Sequence, residues 1–238
     1  MKLSKRLETV ASMVTKGNRA ADVGCDHGFV PIFLVESGIS PLAVAADVRP
    51  GPLSRAKEHI KEHRLEEKIQ TRLSNGLANI KPGEADSLIM SGIGGILMMR
   101  LLQDEEHTAK SFKELILSPQ SELFDVRRYL VSNGYLIEYE HMLCDEGKYY
   151  FIFHVLVKKD EREWSEEEYR YGKDICKDDM KTFLAYLEKE ERQYEQILEK
   201  MKQAPENDRA AQRIAQLHQD ITCLKKRRQL VYDCGCFA

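Results

Sequence analysis

Three carboxylates and a set of glycines carry the chemistry that the sequence offers first. Asp22, Gly24, Asp26 and Gly28 stand within the stretch Ala20-Ala21-Asp22-Val23-Gly24-Cys25-Asp26-His27-Gly28-Phe29-Val30-Pro31. Small apolar residues lead into Asp22, and an apolar run follows from Phe29 to Val35. This reads as a buried strand, a tight glycine turn and a helix start. Glycine in such a turn lets the backbone approach a ligand, and the helix start presents unpaired N–H groups. A dinucleotide turn wants G-x-G-x-x-G around a pyrophosphate. Here Asp26 stands inside the loop, where its charge repels pyrophosphate but tolerates a ligand bearing an amino group and a sulfonium. A plain strand–turn–helix corner without ligand is the competing reading, because short glycine patterns are weak signals.

The stretch resembles the Asp-x-Gly-x-Gly-x-Gly loop of S-adenosylmethionine-dependent methyltransferases, with Asp26 in place of the middle glycine. Asp22, Gly24, Cys25 and Gly28 are then candidates for cofactor contact. The third acid, Asp47, closes a short apolar strand over residues 42–47, near the ~20-residue spacing expected of a ribose-binding carboxylate. Val48 follows it. Residues 69–73 read as a third strand ending at Asn75-Gly76. The Asn75 side-chain oxygen can accept from an adenine amine, or the pair can be a simple turn. Residues 86–90 run into Ser91-Gly92-Ile93-Gly94-Gly95, bare backbone at a strand end. Many amino-methyltransferases hold their target nitrogen there with Asn/Asp-Pro-Pro-aromatic. That motif is missing, and carbonyls of the glycine loop are the substitute acceptors.

These motifs need a scaffold, and the chain can build one. It has 238 residues, 42% of them hydrophobic, enough for one large domain or two unequal ones. The apolar positions Leu3, Leu7, Val10, Met13 and Val14 predict a first helix over residues 2–14, with Lys2, Lys5, Arg6, Lys16 and Arg19 around it. That cluster is either a solvated face or a phosphate-contacting patch. Further strands are predicted over residues 114–117, 135–142 and 149–157, the last two forming a hairpin, with a helix over 122–131 between them and the fifth strand. The fold class is α/β: a Rossmann-like, seven-stranded class I methyltransferase sheet over residues 1–159. Residues 160–238 change character. One apolar path runs through Phe183, Leu187, Tyr194, Leu198 and Met201, and a second through Ile214, Leu217, Ile221, Leu224 and Val231, with Ala204-Pro205-Glu206-Asn207 breaking the helix between them. This predicts an antiparallel coiled-coil hairpin. On it, Lys225-Lys226-Arg227-Arg228 reads as a solvated helix end or an RNA contact.

Composition excludes other classes. The net charge of −3 rules out a bulk polycation, so nucleic-acid binding requires a local patch. No apolar run reaches the ~18 residues of a membrane span, and the basic start lacks a secretory core. A cytoplasmic, monomeric protein is expected. The six cysteines form no Cys-x-x-Cys, and the pair Cys234 and Cys236 does not complete a zinc site; no metal is expected.

Taken together, the Asp22–Pro31 stretch, Gly51-Pro52-Leu53, Asn75-Gly76-Leu77, Ser91-Gly92-Ile93-Gly94-Gly95, Ser118-Pro119-Gln120 and Asp145-Glu146-Gly147-Lys148 resemble the signatures of bacterial tRNA (adenine-22 N1)-methyltransferases. The resemblance covers nearly the whole chain. It implies methyl transfer from S-adenosylmethionine to an adenine N1 in tRNA, by direct displacement. Cofactor contact is implied for Asp22, Gly24, Cys25, Gly28, Asp47, Val48, Asn75, Gly76, Ser91, Gly92 and Ile93. Asp26 is the candidate acceptor for the adenine amine, and His27 its orienting partner or an RNA contact. Gly94, Gly95, Gln120, Lys5 and Arg6 are candidates for substrate binding, and the helical domain for a tRNA-gripping arm. N1 is a pairing atom, so the target base must be unpaired or flipped. A methyltransferase of small molecules or proteins, a non-catalytic scaffold and a nicotinamide-dependent fold are the rival readings.

Overall fold

The apolar runs before each acidic or glycine-rich turn become the central strands of a mixed sheet. In a computed structural model, the structure describes residues 2–173, 180–202 and 208–233. Two compact units are present: Met1–His141 with Asp145–Arg162, and Met142–Cys144 with Glu163–Ala238.

The strands of the sheet are β1 (Ala20–Val23), β2 (Ala43–Asp47), β3 (Ile69–Leu73), β4 (Ser87–Ser91), β5 (Glu114–Ser118), β6 (Leu136–Asp145) and β7 (Lys148–Leu156). They lie in the order β3-β2-β1-β4-β5-β7-β6. Neighbours β1 to β5 pair in parallel, and β7 joins β5 antiparallel, with Leu115 opposite Val155. The sheet has the seven strands expected above. Every residue of β1, β2 and β5 is buried, as required of parallel strands covered on both faces. Helices α1 (Lys5–Ser12), α2 (Phe29–Glu36), α3 (Pro50–Glu62), α4 (Gly95–Asp104), α5 (Glu106–Ala109) and α6 (Leu123–Ser132) supply the cover. The first helix is shorter than its apolar spacing predicts because Ser4 caps it, accepting the Leu7 N–H at 3.4 Å.

Two polar clusters fix this unit away from the glycine turns. Glu114 opens β5 fully buried. It accepts the Thr15 N–H at 2.9 Å, the Thr15 hydroxyl at 2.6 Å, the Asn18 amide at 3.1 Å, the Ser87 hydroxyl at 2.5 Å and His154 Nε2 at 2.9 Å. Burial alone would raise its pKa, but these bonds outweigh it and hold the carboxyl at about 2. Arg127 of α6 and Glu140 of β6 form a buried forked pair, Nη2 to Oε2 at 2.7 Å and Nε to Oε1 at 3.0 Å. The guanidinium also lies 5.1 Å from the Phe153 ring centre.

The second unit contains α7 (Glu166–Tyr171), α8 (Met180–Lys202) and α9 (Asp208–Asp233). Leu198, Leu217 and Ile221 form a buried cluster, flanked by Tyr194, Met201 and Ile214. Arg228 pairs with Glu191, and Leu198 clusters with Leu217 and Ile221, so α8 and α9 run antiparallel. The predicted break at residues 204–207 lies outside the described residues. Every cation of the Lys225–Arg228 run has a partner inside this unit. Lys226 meets Glu167 at 2.5 Å, Lys225 meets Glu191 at 3.7 Å, Arg228 also pairs with Glu191, and Arg227 donates to the Gly172 carbonyl at 2.6 Å. Among the described residues no helix is long and apolar enough to cross a membrane.

Candidate active site

The parallel strands end together at one edge, and strand order reverses about β1. In doubly wound sheets that edge is where ligands bind. A cavity of about 430 Å³ opens there. It is lined by the β1 turn (Asp22 to His27), by Asp47, Val48 and Arg49 after β2, by Ser74 to Gly76 after β3, by Ser91 to Ile93 after β4, and by Gln120 after β5. Arg6 and Leu7 of α1 and Leu97 and Leu101 of α4 complete it.

Most of the residues predicted from the motifs therefore converge. Asp22, Gly24, Cys25, Asp26, His27, Asp47, Val48, Asn75, Gly76, Ser91, Gly92, Ile93, Gln120 and Arg6 line one cavity. Gly28, Gly94, Gly95 and Lys5 are not among its lining residues. At Gly28 a Cβ would stand 3.0 Å from Ala56 Cβ, and φ is +73°, so this glycine permits the turn to pack against α3. At Gly95 a Cβ would stand 2.5 Å from the Ser121 carbonyl oxygen, which makes it a close-packing position too.

The turn is shaped by Asp47. Its Oδ2 accepts the Asp26 N–H at 3.2 Å and its Oδ1 the Arg49 N–H at 2.8 Å, while the β2 carbonyl of Ala46 takes the Gly24 N–H at 2.9 Å. Asp47 is buried, yet it lines the cavity, and a carboxylate has about four acceptor positions. Asp26 has a left-handed φ of 49° and its side chain is 57% exposed. It lies at the rim with Arg49 Nη2 at 3.8 Å and His27 Nε2 at 3.6 Å. The ring of His27 stacks on Phe29 at 5.3 Å, and Phe29 on His59 at 5.2 Å. His59 Nδ1 meets the His27 carbonyl at 3.0 Å, fixing the backbone behind the ring.

Asp22 is the other buried carboxyl of the cavity. Burial first, and then the negative charge of Asp47, push its carboxyl up to about 7, while Arg6 pulls it down. Cys25 beside it is held well above the ordinary thiol range by burial and by Asp22, Asp47 and Asp26, so it is a protonated packing thiol rather than a nucleophile. Arg6 Nη1 donates to the Ser91 hydroxyl at 2.5 Å, and the guanidinium stands 5.4 Å over the Tyr150 ring. Gly92 is called for by its φ of +86° and not by space, since a Cβ there would meet Arg6 Nη1 at 3.5 Å and Gln120 Nε2 at 3.7 Å, ordinary contacts. Motif reading did not include Leu7, Phe29, Arg49, Ser74, Leu97 and Leu101 among the lining residues. The signal for Arg49 was its place two residues after Asp47.

Residues 3–153 match the methyltransferase domain family. The chain is 28% identical over 232 residues to the tRNA (adenine(22)-N(1))-methyltransferase of Bacillus subtilis, covering 95% of this chain and 97% of that protein. The crystal structure of Streptococcus pneumoniae Sp1610 in complex with S-adenosyl-L-methionine superposes with a TM-score of 0.84 at 32% identity, covering 95% of this chain and 100% of the other. Mycoplasma capricolum TrmK in complex with S-adenosyl-homocysteine gives 0.86 at 26% identity, covering 97% and 100%. By these matches and by the cavity at its parallel-strand edge, the chain belongs to the methyltransferase domain family, among the tRNA (adenine-22 N1)-methyltransferases.

Proposed function

We propose that this chain transfers the methyl group of S-adenosylmethionine to N1 of adenine 22 in tRNA. The observation that carries the reading is the convergence of Asp22, Asp47 and Asp26 on one cavity at the sheet's switch point. The donor set fits the cofactor. Asp47 is placed to accept ribose hydroxyls at the end of β2, Val48 and Asn75 offer an apolar face and an acceptor for adenine, and the acids suit a cation rather than a pyrophosphate. Bound S-adenosylmethionine supplies a methyl group already activated on a sulfonium.

The chain's own part is then positioning and electrostatics. Adenine N1 carries a free lone pair, so no general base and no covalent nucleophile are required. The product base is cationic. Asp26, at the exposed rim, accepts from the exocyclic amine and favours the charge developing on the ring. His27, braced by Phe29 and His59, limits where that carboxylate can swing. Gln120 and the Gly92 carbonyl, both on the cavity lining, hold the flipped base; the carbonyls of Ile93 and Gly94 are taken by the Gln120 and Met98 N–H groups. The first unit is the methyltransferase domain. We assign the second the grip on the tRNA body, supported by α9, which carries Arg213, Lys225, Lys226 and Arg228 outside the buried Arg227. Shape and phosphates would be read there.

The test is incubation with methyl-labelled cofactor and unmodified tRNA, followed by nucleoside mapping. Label in 1-methyladenosine at position 22, lost when that base is exchanged, is the expected result. Label on protein or metabolites alone would overturn the assignment.

A further inference from the structure

One large apolar side chain beside the cavity stands in water. Ile96 lies in the first turn of α4 and is 66% exposed, more than any other large hydrophobic residue among the described residues. Ile93 and Leu97, on either side of it in the chain, line the cavity, and Ile96 does not. A nucleoside in the cavity meets Leu97 and leaves Ile96 uncovered at the rim. The base beneath this side chain is rigid. The Gly95 N–H donates to the Ser121 hydroxyl at 3.3 Å, the Gln120 N–H donates to the Ile93 carbonyl at 2.9 Å, and Met98 and Leu102 are buried on the far side of the helix. Apart from Leu97, the exposed neighbours of Ile96 along α4 are Arg100, Gln103 and Asp104. That makes a narrow apolar point set among polar groups, far below the ~1,000 Å² that a protein partner or a second copy needs.

We propose that Ile96 is a wedge: it enters the RNA stack at the place the target adenine leaves, and so keeps the base out in the cavity. The inference rests on the tRNA-methylating reading above and deepens it, by naming the group that holds the strand open. Adenine N1 reaches a methyl donor inside the cavity only when the base has left its pair and its stack. The gap left behind is walled by two apolar base faces. A branched apolar side chain fills such a gap as apolar wedges do between base steps, and one already fixed on a helix loses little freedom in doing so. Its place suits the task. Ser91, Gly92 and Ile93 of the lining precede it by three to five residues, and Gln120, a base-holding group, is bonded to the same loop. Arg100 follows one helical turn along the same face. It is exposed and meets Asp104 at 3.4 Å, a surface pair that a phosphate beside the opened step can displace.

Two unmodified tRNA transcripts separate wedging from other roles. They differ only in the base facing adenine 22, uracil in one and a mismatched base in the other. With the full chain, Ile96→Ala should slow single-turnover methylation of the paired transcript by roughly 10- to 100-fold, and of the mismatched one by no more than about threefold. Ile96→Met, which keeps an apolar reach, should recover most of the loss. 2-Aminopurine placed at position 22 should brighten on mixing with wild type and S-adenosylhomocysteine, and brighten less with Ile96→Ala. Both variants should bind S-adenosylhomocysteine within about twofold of wild type by calorimetry, which also shows that they are folded. An equal loss on both transcripts would mean that Ile96 shapes the site rather than opens the stack, and the proposal fails. No loss on either would mean that Ile96 does not meet RNA, which overturns it as well. So would a wild-type dimer that Ile96→Ala splits, since the side chain would then be a contact between copies. If wild type methylates neither transcript at adenine 22 while still binding S-adenosylhomocysteine, the target assignment itself is wrong and this inference falls with it.

Discussion

The Asp47 carboxylate accepts the backbone N–H of Asp26 at 3.2 Å, so the acid at the end of β2 shapes the turn after β1. Its other oxygen holds the Arg49 N–H at 2.8 Å. Asp47→Asn removes the charge and one acceptor oxygen. It should weaken S-adenosylhomocysteine and 5′-methylthioadenosine alike, by roughly 10- to 100-fold, since both carry the ribose. A loss confined to the amino-acid-bearing nucleoside would place Asp47 away from the sugar.

Asp26 is exposed enough to be exchanged without harm to the core. Asp26→Ala should leave the thermal midpoint within about 2 °C of wild type. Single-turnover methyl transfer should fall by roughly 100- to 1,000-fold, the scale of losing one group that stabilises developing charge. Full transfer by the variant would remove Asp26 from the mechanism.

The raised carboxyl of Asp22 ties stability to pH. Its folded-state value of about 7 lies above the ordinary 3.8. Between those values the unfolded chain has released this proton and the folded chain has kept it. The contribution is therefore complete below the unfolded value and is lost as pH rises through about 7. Asp22→Asn has no such linkage. Its stability relative to wild type should rise between about pH 5 and pH 8, by up to about 3 kcal/mol. Urea denaturation at the two pH values measures this, and a constant difference would contradict it.

The Arg127–Glu140 fork concerns stability alone. Arg127→Ala leaves a carboxylate buried without its guanidinium, and should cost about 3–5 kcal/mol. Replacing both residues with apolar ones of similar volume should cost much less. Cofactor affinity of either folded variant should match wild type. A small loss for the single exchange would mean that Glu140 escapes to water.

The basic run of α9 is a test of the arm. Glu191 engages both Lys225 and Arg228. Glu191→Gln should release them, tighten tRNA binding about two- to fivefold, and steepen the salt dependence by about one unit of slope. Nucleoside binding should stay constant. Unaltered tRNA affinity and slope would argue that this face does not meet RNA.

Much of the cavity was legible because its residues lie at strand ends, where sequence order and space coincide. Asp22, Asp47, Asn75, Ser91 and Gln120 each stand at or within two residues of the end of a strand that hydrophobic runs and turn residues already mark. What was hidden depends on side chains crossing between elements. Nothing local in Lys5-Arg6 says that one cation enters the cavity and its neighbour does not, since that follows from the pairing of Arg6 with Ser91, far along the chain. The same holds for Arg127 and Glu140, which read singly as surface charges. Gly28 and Gly95 look like ligand-facing glycines, but the contacts they permit are with Ala56 and Ser121. The charge of residues 225–228 was plain, and its pairing with acids of α7 and α8 was not.

Helix α1 is tethered in its first turn and just past its last. At the mouth Arg6 grips Ser91, and just past the C-terminal end Thr15 grips Glu114 through both N–H and hydroxyl. A segment fastened so acts as a strut spanning the sheet, not as a flap over its entrance. The polar lining on the α1 side is thus preset, and the entropy of ordering it is spent in folding rather than at each encounter.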